Sequence, residues 1–593
     1  MKALQLFLLL IGMGYVAFGQ QQDDITVDEL KEHVYFLASD SLKGRKPGTP
    51  ESKVAAEYIR DQLVSAGFSP MGEDGFQYFD VITSVEPGTD NMLKFQDRKY
   101  TIGENFNPLP FSSNADISAK VVFAGFGMDV EEDTLVWNDY EKVDVSGKWV
   151  LALRGDPEPD NDNSLFIAYG NDRDKALMAR DHGAAGLLLV SGPQFGEEDK
   201  LDLPAFNRVT ADAGLPVIQV TRSLADEIIS GSGNTIHALE EMIINENKTY
   251  TFQTEKELHA RTDLQRVKVT TQNVVAMLEG SDPVLKKEYL LIGAHYDHLG
   301  FGGQGSGSRV PDTMAIHNGA DDNASGTAGI IELAEKIAAS RDKIKRSIII
   351  MAFGAEEMGL LGSQFFVAEP MIDLKDVKAM FNFDMIGRMN ADERSVMVAG
   401  TGTAKELEDL LAGYEAGSTI SFGHSPEGYG ASDHSSFYAN GVPVMFFSTG
   451  AHPDYHTPAD DADKINYEGE AEILDYAYDI VMDLANREEN LTYQEAGPKK
   501  QQGRYGRGLK VKFGIMPDFT SNENDGLGVG GVTQGGPADK AGMLKGDKIV
   551  AIEGQPVTNI YDYMNRLKKL KPGQTISVDI IRDEKPKVLV LVL

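Results

Sequence analysis

The stretch Ser347–Gly359, SIIIMAFGAEEMG, joins an uninterrupted apolar run to two adjacent acids. A continuous apolar run such as Ser347 to Ala352 is typical of a strand buried on both faces. Glu356 and Glu357 follow the end of that run. Neighbouring carboxylates at the mouth of a core shift each other's pKa unless a cation or a proton lies between them. The stretch therefore indicates a place for positive charge at the end of a buried strand.

Further apolar runs follow the same plan. They are VVAMLEG at 274–280, YLLIGAH at 289–295, AMFNFDMIG at 379–387 and VPVMFFST at 442–449. Helical stretches separate them, such as Thr327 to Ala339, in which Ile330, Leu333, Ala334 and Ile337 form one apolar face. The pattern predicts an α/β domain with a mostly parallel central sheet and helices on both faces. Ligands of such sheets bind beyond the carboxyl ends of the strands.

Ionisable residues lie just beyond these runs. They are His295, Asp297, Asp321, Glu356, Glu357, Asp384 and His456. Each one alone has an ordinary explanation, since an Asp before a helix is usually an N-cap and a His is usually a surface residue. Repeated at successive strand ends, they form a set of nitrogen and oxygen donors that suits a pair of zinc ions better than magnesium.

Composition narrows the protein's class. With 593 residues, the chain is too long for one hydrophobic core, so we expect several domains. The formal net charge of -35 argues against nucleic acid as a partner, because phosphate binding needs clustered Lys and Arg. The chain has no Cys, so disulfides and thiolate ligands are excluded and a metal must be held by His and carboxylates.

The first residues predict export. One Lys precedes an apolar stretch from Leu4 to Phe18, and small residues follow near Gly19. This pattern is typical of a signal peptide covering residues 1–19. The run is shorter than the ~20 residues that a membrane span needs, so we expect no stable membrane anchor in the mature chain. The predicted compartment is periplasmic or extracellular.

The remaining sequence divides into the α/β domain in two parts (20–110 and 256–495), an insert (111–255), a polar linker (496–507) and a tail (508–593). The insert resembles a protease-associated (PA) domain through GFG at 125–127, GKWV at 147–150 and the helix–strand pair at 175–190. The tail resembles a β-rich PDZ domain of the bacterial protease type through GPADKAG at 536–542 and GDKI at 546–549. The resemblance implies a site for a peptide or protein carboxyl terminus at a loop that departs from the common Gly-Leu-Gly-Phe form: Phe513, Gly514, Ile515 and Met516.

The full set of acids and imidazoles resembles the zinc exopeptidases of metallopeptidase family twenty-eight, which include aminopeptidases and glutamate carboxypeptidases. The resemblance implies two Zn²⁺ ions, with other divalent transition metals as the alternative. It gives His295, Asp321 and Asp384 to one ion, and Asp321, Glu357 and His456 to the other, so that Asp321 bridges. It also implies that Asp297 orients His295 and that Glu356 is the general base.

Residues 428–434, GYGASDH, match another stretch of that family, in which the Tyr polarises the scissile carbonyl. This makes Tyr429 a catalytic candidate, with a core aromatic as the alternative. Asp433, His434 and Ser435 also contain the residue types of a serine-hydrolase triad, but adjacent residues do not face one another as triad members must. His298 and His317 flank a Gly-rich loop, and we expect both to be solvated rather than ligands.

These features predict an exported di-zinc aminopeptidase that acts on peptides with a free amino terminus. Three alternatives stay open at this stage. A glutaminyl cyclase shares the fold with one zinc, and a carboxypeptidase would need a basic group such as Arg309 or Arg388 for the substrate's carboxylate. A non-catalytic peptide-binding protein on the same scaffold is the third, although such relatives typically lose metal ligands.

Overall fold

A computed structural model describes residues 24–131, 135–159, 161, 164–196, 198–201, 212–496, 511–518, 525–532 and 535–593. Within these residues, the strands form sheets of nine, eight and six strands and one two-stranded ribbon. The predicted signal peptide (1–19) and nearly all of the predicted linker (496–507) lie outside the described residues. Each large sheet has its own apolar core, and the architecture of an α/β domain, an α/β insert and a β-rich tail is confirmed.

The nine-stranded sheet carries the residues of interest. In spatial order its strands are Ser69–Pro70, Leu264–Leu278, Ser347–Phe353, Tyr289–His295, Val377–Phe383, Val444–Ser448, Ser395–Ala399 and Ser421–Ser425, and Phe76–Pro87 also pairs with Leu264–Leu278. The four strands from Ser347–Phe353 to Val444–Ser448 run parallel. They form the predicted parallel centre, and antiparallel pairs extend it on both sides.

Helices cover both faces of this sheet. The larger core packs beneath Val27–Leu37, Pro50–Ser65, Gly326–Ala339, Leu407–Glu415 and Tyr467–Asn486. The opposite face packs against Leu361–Ala368 and His434–Tyr438. The first helix is capped at its amino end, because the Thr26 side chain accepts a hydrogen bond from the Glu29 amide at 3.2 Å.

The eight-stranded sheet belongs to the insert. In spatial order its strands are Arg98–Tyr100, Met92–Phe95, Thr251–Thr262, Ala115–Ala124, Trp149–Leu153, Gly186–Val190, Val217–Val220 and Phe106–Pro108. Its helices are Asp172–Asp181, Arg222–Ile229 and Ile236–Glu246, and Asp129–Glu131 pairs with Val136–Asn138 in the ribbon. Three of these strands, Met92–Phe95, Arg98–Tyr100 and Phe106–Pro108, precede the predicted boundary at residue 111. Short strands without a long apolar run are difficult to identify from the sequence.

An antiparallel pair of strands joins the insert to the nine-stranded sheet. Phe76–Pro87 pairs with Leu264–Leu278, from the Pro87–Leu264 contact to the Phe76–Val274 contact. At the far end, the Gly88 amide donates to the Asp263 carbonyl at 2.8 Å. The chain therefore leaves the domain of the nine-stranded sheet and returns to it along neighbouring strands.

The tail has the smallest sheet. In spatial order its strands are Ile515–Asp518, Leu527–Val532, Lys548–Ile552, Thr575–Arg582 and Lys585–Val592, and Gln555–Pro556 also pairs with Lys548–Ile552. Its helices are Pro537–Lys540 and Ile560–Lys568. Phe513 is buried, its carbonyl accepts from the Ala538 amide at 2.8 Å, and its ring meets Tyr563 edge-on. Part of the predicted peptide loop thus contributes to the core of the tail.

The tail packs on the insert through two helices of alternating charge. Helix Ile560–Lys568 of the tail lies against Asp172–Asp181 of the insert. Arg180 pairs with Asp562 at 2.7 Å, Lys568 with Asp174 at 2.9 Å, and Arg566 with Asp181 through both guanidinium nitrogens. The Arg173 guanidinium also lies 4.0 Å from the centre of the Tyr561 ring. The tail is therefore attached to the insert by several partly buried ion pairs.

No helix in the described parts of the chain is both long enough and apolar enough to cross a membrane.

Candidate active site

The parallel strands bring the predicted residues to one edge of the sheet. His295 ends strand Tyr289–His295 and pairs in register with Phe353, which ends the neighbouring strand. Asp384 directly follows strand Val377–Phe383. Because neighbouring parallel strands end together, residues that are distant in sequence meet on the loops beyond them.

One cluster consists of His295, Asp322 and Asp384. The His295 Nε2 atom lies 3.2 Å from Asp322 Oδ1 and 3.4 Å from Asp384 Oδ1. All three side chains are buried. The three donor atoms lie close enough together to hold one metal ion.

A second cluster lies on the other side of Asp322. The His456 Nε2 atom is 3.0 Å from both Asp322 Oδ2 and Glu357 Oε1. The His298 Nδ1 atom is 3.0 Å from the same Glu357 oxygen and 3.9 Å from Asp322 Oδ2. His298, Asp322 and Glu357 can also hold one metal ion. The two oxygens of Asp322 therefore face two different groups of donors.

The structure places Asp322, and not Asp321, between the two clusters. The Asp321 carboxylate accepts from the Gly387 amide at 2.7 Å, and its other oxygen lies 3.3 Å from His452 Nε2. The geometry therefore brings Asp322, and not the predicted Asp321, into both donor groups. Consecutive side chains in the irregular segment Ala320–Ser325 point in different directions, and its sequence does not say which one faces the strand ends.

The Asp297 carboxylate supports the loop that carries the two acids. Its oxygens accept hydrogen bonds from the Glu356 amide at 2.9 Å and the Glu357 amide at 3.3 Å. His295 Nδ1 lies 3.2 Å from the Asp297 backbone carbonyl and 3.8 Å from its carboxylate. Burial raises the pKa of Asp297 to about 6. Asp297 thus contacts His295 mainly through its backbone, while its side chain positions Glu356 and Glu357.

Glu356 lies beside the first cluster without joining either group. Its Oε2 atom is 3.9 Å from His295 Nε2, and 11% of its side chain is exposed. Burial raises its pKa well above the usual range, and the neighbouring acids Glu357, Asp433 and Asp384 raise it further. By contrast, burial favours a higher pKa for Glu357, but the nearby imidazoles of His298 and His456 outweigh it and lower that pKa to about 2. The adjacent acids therefore have different surroundings.

Two tyrosines have different surroundings. The ring of Tyr429, the predicted catalytic Tyr, packs edge-on against Tyr438 with centroids 4.7 Å apart. Tyr455, which the sequence analysis did not single out, stacks on His456 with centroids 3.9 Å apart. Burial raises the pKa of Tyr455, and Asp322 and Glu357 add to this effect. Tyr455 could have been considered from the sequence because it directly precedes His456.

Asp433, His434 and Ser435 do not form a triad. The His434 ring stacks on Phe446 with centroids 4.4 Å apart. The Ser435 hydroxyl donates to the Gly430 carbonyl and accepts from the Gly430 amide, both at 2.7 Å. The Ser435 hydroxyl is therefore bound to the backbone of Gly430 and not to His434, so these residues are not arranged as a serine hydrolase needs.

His298 and His317 are both buried, so the expectation that they are solvated is wrong. His298 is 1% exposed and lies in the second cluster. His317 Nε2 lies 2.8 Å from the Ser308 hydroxyl, and its Nδ1 lies 2.9 Å from the Ala315 carbonyl. His298 directly follows Asp297 in HYDH, and its nearness to His295 in the sequence could have marked it as a candidate.

Two buried charges hold the loops around the clusters. Asp460 Oδ2 accepts from the amides of Asp321 and Asp322 at 3.0 and 3.1 Å. The Arg45 guanidinium donates to the carbonyls of Tyr296, Asn318 and Gly319 at 2.7, 2.6 and 3.0 Å. Arg45 therefore ties the strand that carries His295 to the segment that carries Asp322.

The donor set fits zinc. Within the described residues, His295 Nε2, Asp384 Oδ1 and both ring nitrogens of His298 are buried without a hydrogen-bond partner. Buried polar atoms are normally hydrogen-bonded, so such a group of imidazole and carboxylate donors indicates a cation.

Arg388, one of the candidates for binding a substrate carboxylate, pairs with Asp454 at 3.0 Å.

Comparison with known families separates the chain into three parts. The model of peptidase family M28 matches residues 273–481, the PA domain model matches 117–228, and the PDZ domain model matches 515–592. The predicted combination of domains is thereby confirmed. The three matches correspond to the nine-, eight- and six-stranded sheets, respectively, while the predicted residue bounds of each domain stay predictions.

Relatives carry aminopeptidase and related names. Leupeptin-inactivating enzyme 1 of Streptomyces exfoliatus is 30% identical over 196 residues, which are 33% of this chain and 39% of that protein's length. An aminopeptidase of Pseudomonas aeruginosa is 24% identical over 436 residues, which are 70% of this chain and 68% of that protein. Among solved structures, the aminopeptidase from Aneurinibacillus sp. strain AM-1 aligns with a TM-score of 0.48 at 22% identity, covering 80% of this chain and 96% of that one.

Proposed function

Because the chain carries a domain of peptidase family M28 together with a PA and a PDZ domain, we propose that it is a zinc-dependent aminopeptidase. It would hydrolyse the first peptide bond of peptides that have a free amino terminus. The observation that carries this proposal is the pair of donor clusters that share Asp322, with Glu356 beside them. Aminopeptidase is also the name of the Pseudomonas relative that this chain matches over most of its length.

In this proposal, His295 and Asp384 hold one zinc ion, His456 and Glu357 hold the other, and Asp322 holds both. Two bound zinc ions would polarise the scissile carbonyl and make an attacking water more acidic. The protein keeps these donors oriented through hydrogen bonds behind them, such as the one from His456 Nδ1 to the Gly307 carbonyl at 3.0 Å.

Glu356 would move the proton. Its carboxylate is close to the first cluster but outside both donor groups, so it is available to accept a proton from the attacking water. The same carboxylate would then deliver that proton to the nitrogen of the leaving peptide. Asp297 would act through position, because its side chain holds the amides of Glu356 and Glu357.

The proposal names candidate residues for contacts with the substrate. Tyr429 remains a candidate for polarising the carbonyl, and Tyr455 is a second candidate because its ring lies on His456. The excess of carboxylates around the clusters would favour a cationic amino terminus. We further propose that the protein is exported and that the PDZ domain takes a peptide or protein carboxyl terminus.

Hydrolysis of aminoacyl-anilides, with matched peptides whose amino group is acetylated, tests the proposal. We expect the free-amine substrates to be cleaved, the acetylated ones to resist cleavage, and a zinc chelator to abolish activity. Cleavage of acetylated peptides from the carboxyl end would favour a carboxypeptidase instead. Cyclisation of amino-terminal glutamine without hydrolysis would favour a glutaminyl cyclase, and zinc binding without turnover of any substrate would favour a binding protein.

A further inference from the structure

His298 lies in the second cluster although the assignment above gives it no role. Its ring is 1% exposed, and its Nδ1 atom is 3.0 Å from Glu357 Oε1 and 3.9 Å from Asp322 Oδ2. The same two oxygens lie 3.0 Å from His456 Nε2. Two imidazole nitrogens therefore converge on one pair of carboxylate oxygens.

The surroundings of His298 fix this orientation. Gly319 lies against its ring, and a Cβ atom at Gly319 would come within 2.6 Å of His298 Cδ2 and Cγ. The His298 and His456 rings meet edge-on with centroids 5.7 Å apart, so each directs a nitrogen toward the carboxylates from a different side. This packing allows little rotation of the His298 ring away from Glu357.

A simple hydrogen bond to Glu357 does not account for the arrangement as well as a shared cation does. In the described structure, neither ring nitrogen of His298 has a hydrogen-bond partner, although both are buried. By contrast, the neighbouring buried imidazole of His317 has a partner for each nitrogen. Buried imidazoles without partners are costly unless another ligand completes their bonding.

We propose, building on the zinc-dependent function above, that His298 is a fourth protein ligand of the second metal. That ion would be held by His298, His456, Asp322 and Glu357, whereas the first would be held by His295, Asp384 and Asp322. Four protein ligands complete a tetrahedral zinc site, whereas three leave a position open. With three protein ligands, the first ion would keep more positions open to water and substrate than the second.

Zinc content distinguishes a ligand from a bystander. His298→Ala should lose one of two zinc ions on dialysis against a weak chelator, with an affinity at that site lowered more than about 100-fold, beyond the usual effect of a residue behind a ligand. His317→Ala removes a buried imidazole close by and should keep both ions. Retention of both ions by His298→Ala, with affinity lowered less than about 10-fold, would overturn the proposal.

Spectroscopy on the unmodified chain keeps the proposal testable if His298→Ala does not fold. X-ray absorption of the di-zinc protein should count three imidazoles shared by two ions; a count of two would overturn the proposal. In a folded His298→Ala protein loaded with cobalt, the visible absorption of the four-coordinate ion should weaken, and added imidazole should restore it. An unchanged spectrum would also count against His298. These measurements test the ligand and not the proposed function. The proposed function would be refuted separately, if the zinc-loaded wild-type protein cleaved no free-amine substrate.

Discussion

Asp321 and Asp322 are neighbours in the chain with different surroundings, so their substitutions should have different effects. Asp322→Asn weakens a donor shared by both clusters and should reduce binding of both zinc ions. Asp321→Asn alters only contacts behind the site and should reduce zinc affinity by about 10-fold to 100-fold at most. Zinc titration of both purified proteins provides the measurement. The opposite order of effects would return the bridge to Asp321.

Glu356 and Glu357 should also separate on substitution. Glu356→Gln removes the proposed base but no ligand, so it should keep both zinc ions and lose about 10²-fold to 10⁴-fold in turnover. Glu357→Gln weakens the second cluster and should lose zinc. Zinc content and kcat, measured on the same samples, give the answer. Equal metal loss in the two variants would contradict the assignment.

Asp139 should make the stability of the insert depend on pH. Its side chain is buried and accepts from the Met128 amide and Trp137 Nε1, and burial raises its pKa to about 7 from an ordinary value of 3.8. The folded state therefore holds a proton that the unfolded state releases between these values. Stability from this group is complete below about pH 3.8 and falls as the pH rises toward 7.

Asp139→Asn should remove this dependence. Between pH 4 and pH 7.5, its unfolding free energy relative to the wild type should rise by about 3 to 4 kcal/mol. The chain has two Trp residues, Trp137 and Trp149, and both are in the insert, so intrinsic fluorescence during denaturation follows the insert alone. A constant difference between the two proteins across this pH range would show that Asp139 titrates normally.

At the scale of elements, the contact between helices Asp172–Asp181 and Ile560–Lys568 should depend on its ion pairs. Arg566 and Asp181 are largely buried, at 4% and 11% side-chain exposure, so their coupling in a double-mutant cycle should be about 1 to 2 kcal/mol. Hydrogen exchange of helix Ile560–Lys568 reports its detachment. Arg582→Ala, which breaks the pair with Asp547 within the tail, is the control. Exchange that is unchanged in Arg566→Ala would mean that these pairs do not hold the tail.

The sequence predicted the elements of the catalytic sheet better than the details of its edge. Continuous apolar runs such as Ser347 to Ala352 identify strands because their burial is a local property of the chain. The choice between Asp321 and Asp322 depends on backbone direction in an irregular segment, and the burial of His298 depends on Gly319 and His456, which are distant in sequence. The packing of the tail on the insert could not be predicted from the sequence either. The charged residues of helix Ile560–Lys568 look like those of any solvated helix, and only the structure shows that they pair with Asp174 and Asp181.

At the scale of the whole molecule, the tail contacts the insert more than the catalytic sheet. Every residue assigned to the clusters precedes residue 461, and Ala496 still contacts Tyr438 through its amide at 2.9 Å. A chain ending at Ala496 should therefore fold, bind zinc and cleave short anilides as the full chain does. Any loss should appear with longer peptides, for which a second binding domain raises effective concentration.

Comparison of kcat/KM for short and long substrates in the two proteins makes this measurement. The control is the full chain carrying Arg566→Ala, in which the tail is present but its attachment is weakened. If the shortened protein kept its zinc and still failed on short anilides, the tail would have to shape the active site.

The pairing of Phe76–Pro87 with Leu264–Leu278 sets an order for folding. These strands cannot pair until the two ends of the insert between them lie side by side. The entropy lost in closing so long a loop opposes that step. A folded insert performs this closure itself, since it holds Gly88 against Asp263. On refolding from denaturant, the tryptophans of the insert should therefore recover their native fluorescence before the peptidase sheet assembles, which makes the insert a nucleus for the domain that contains it.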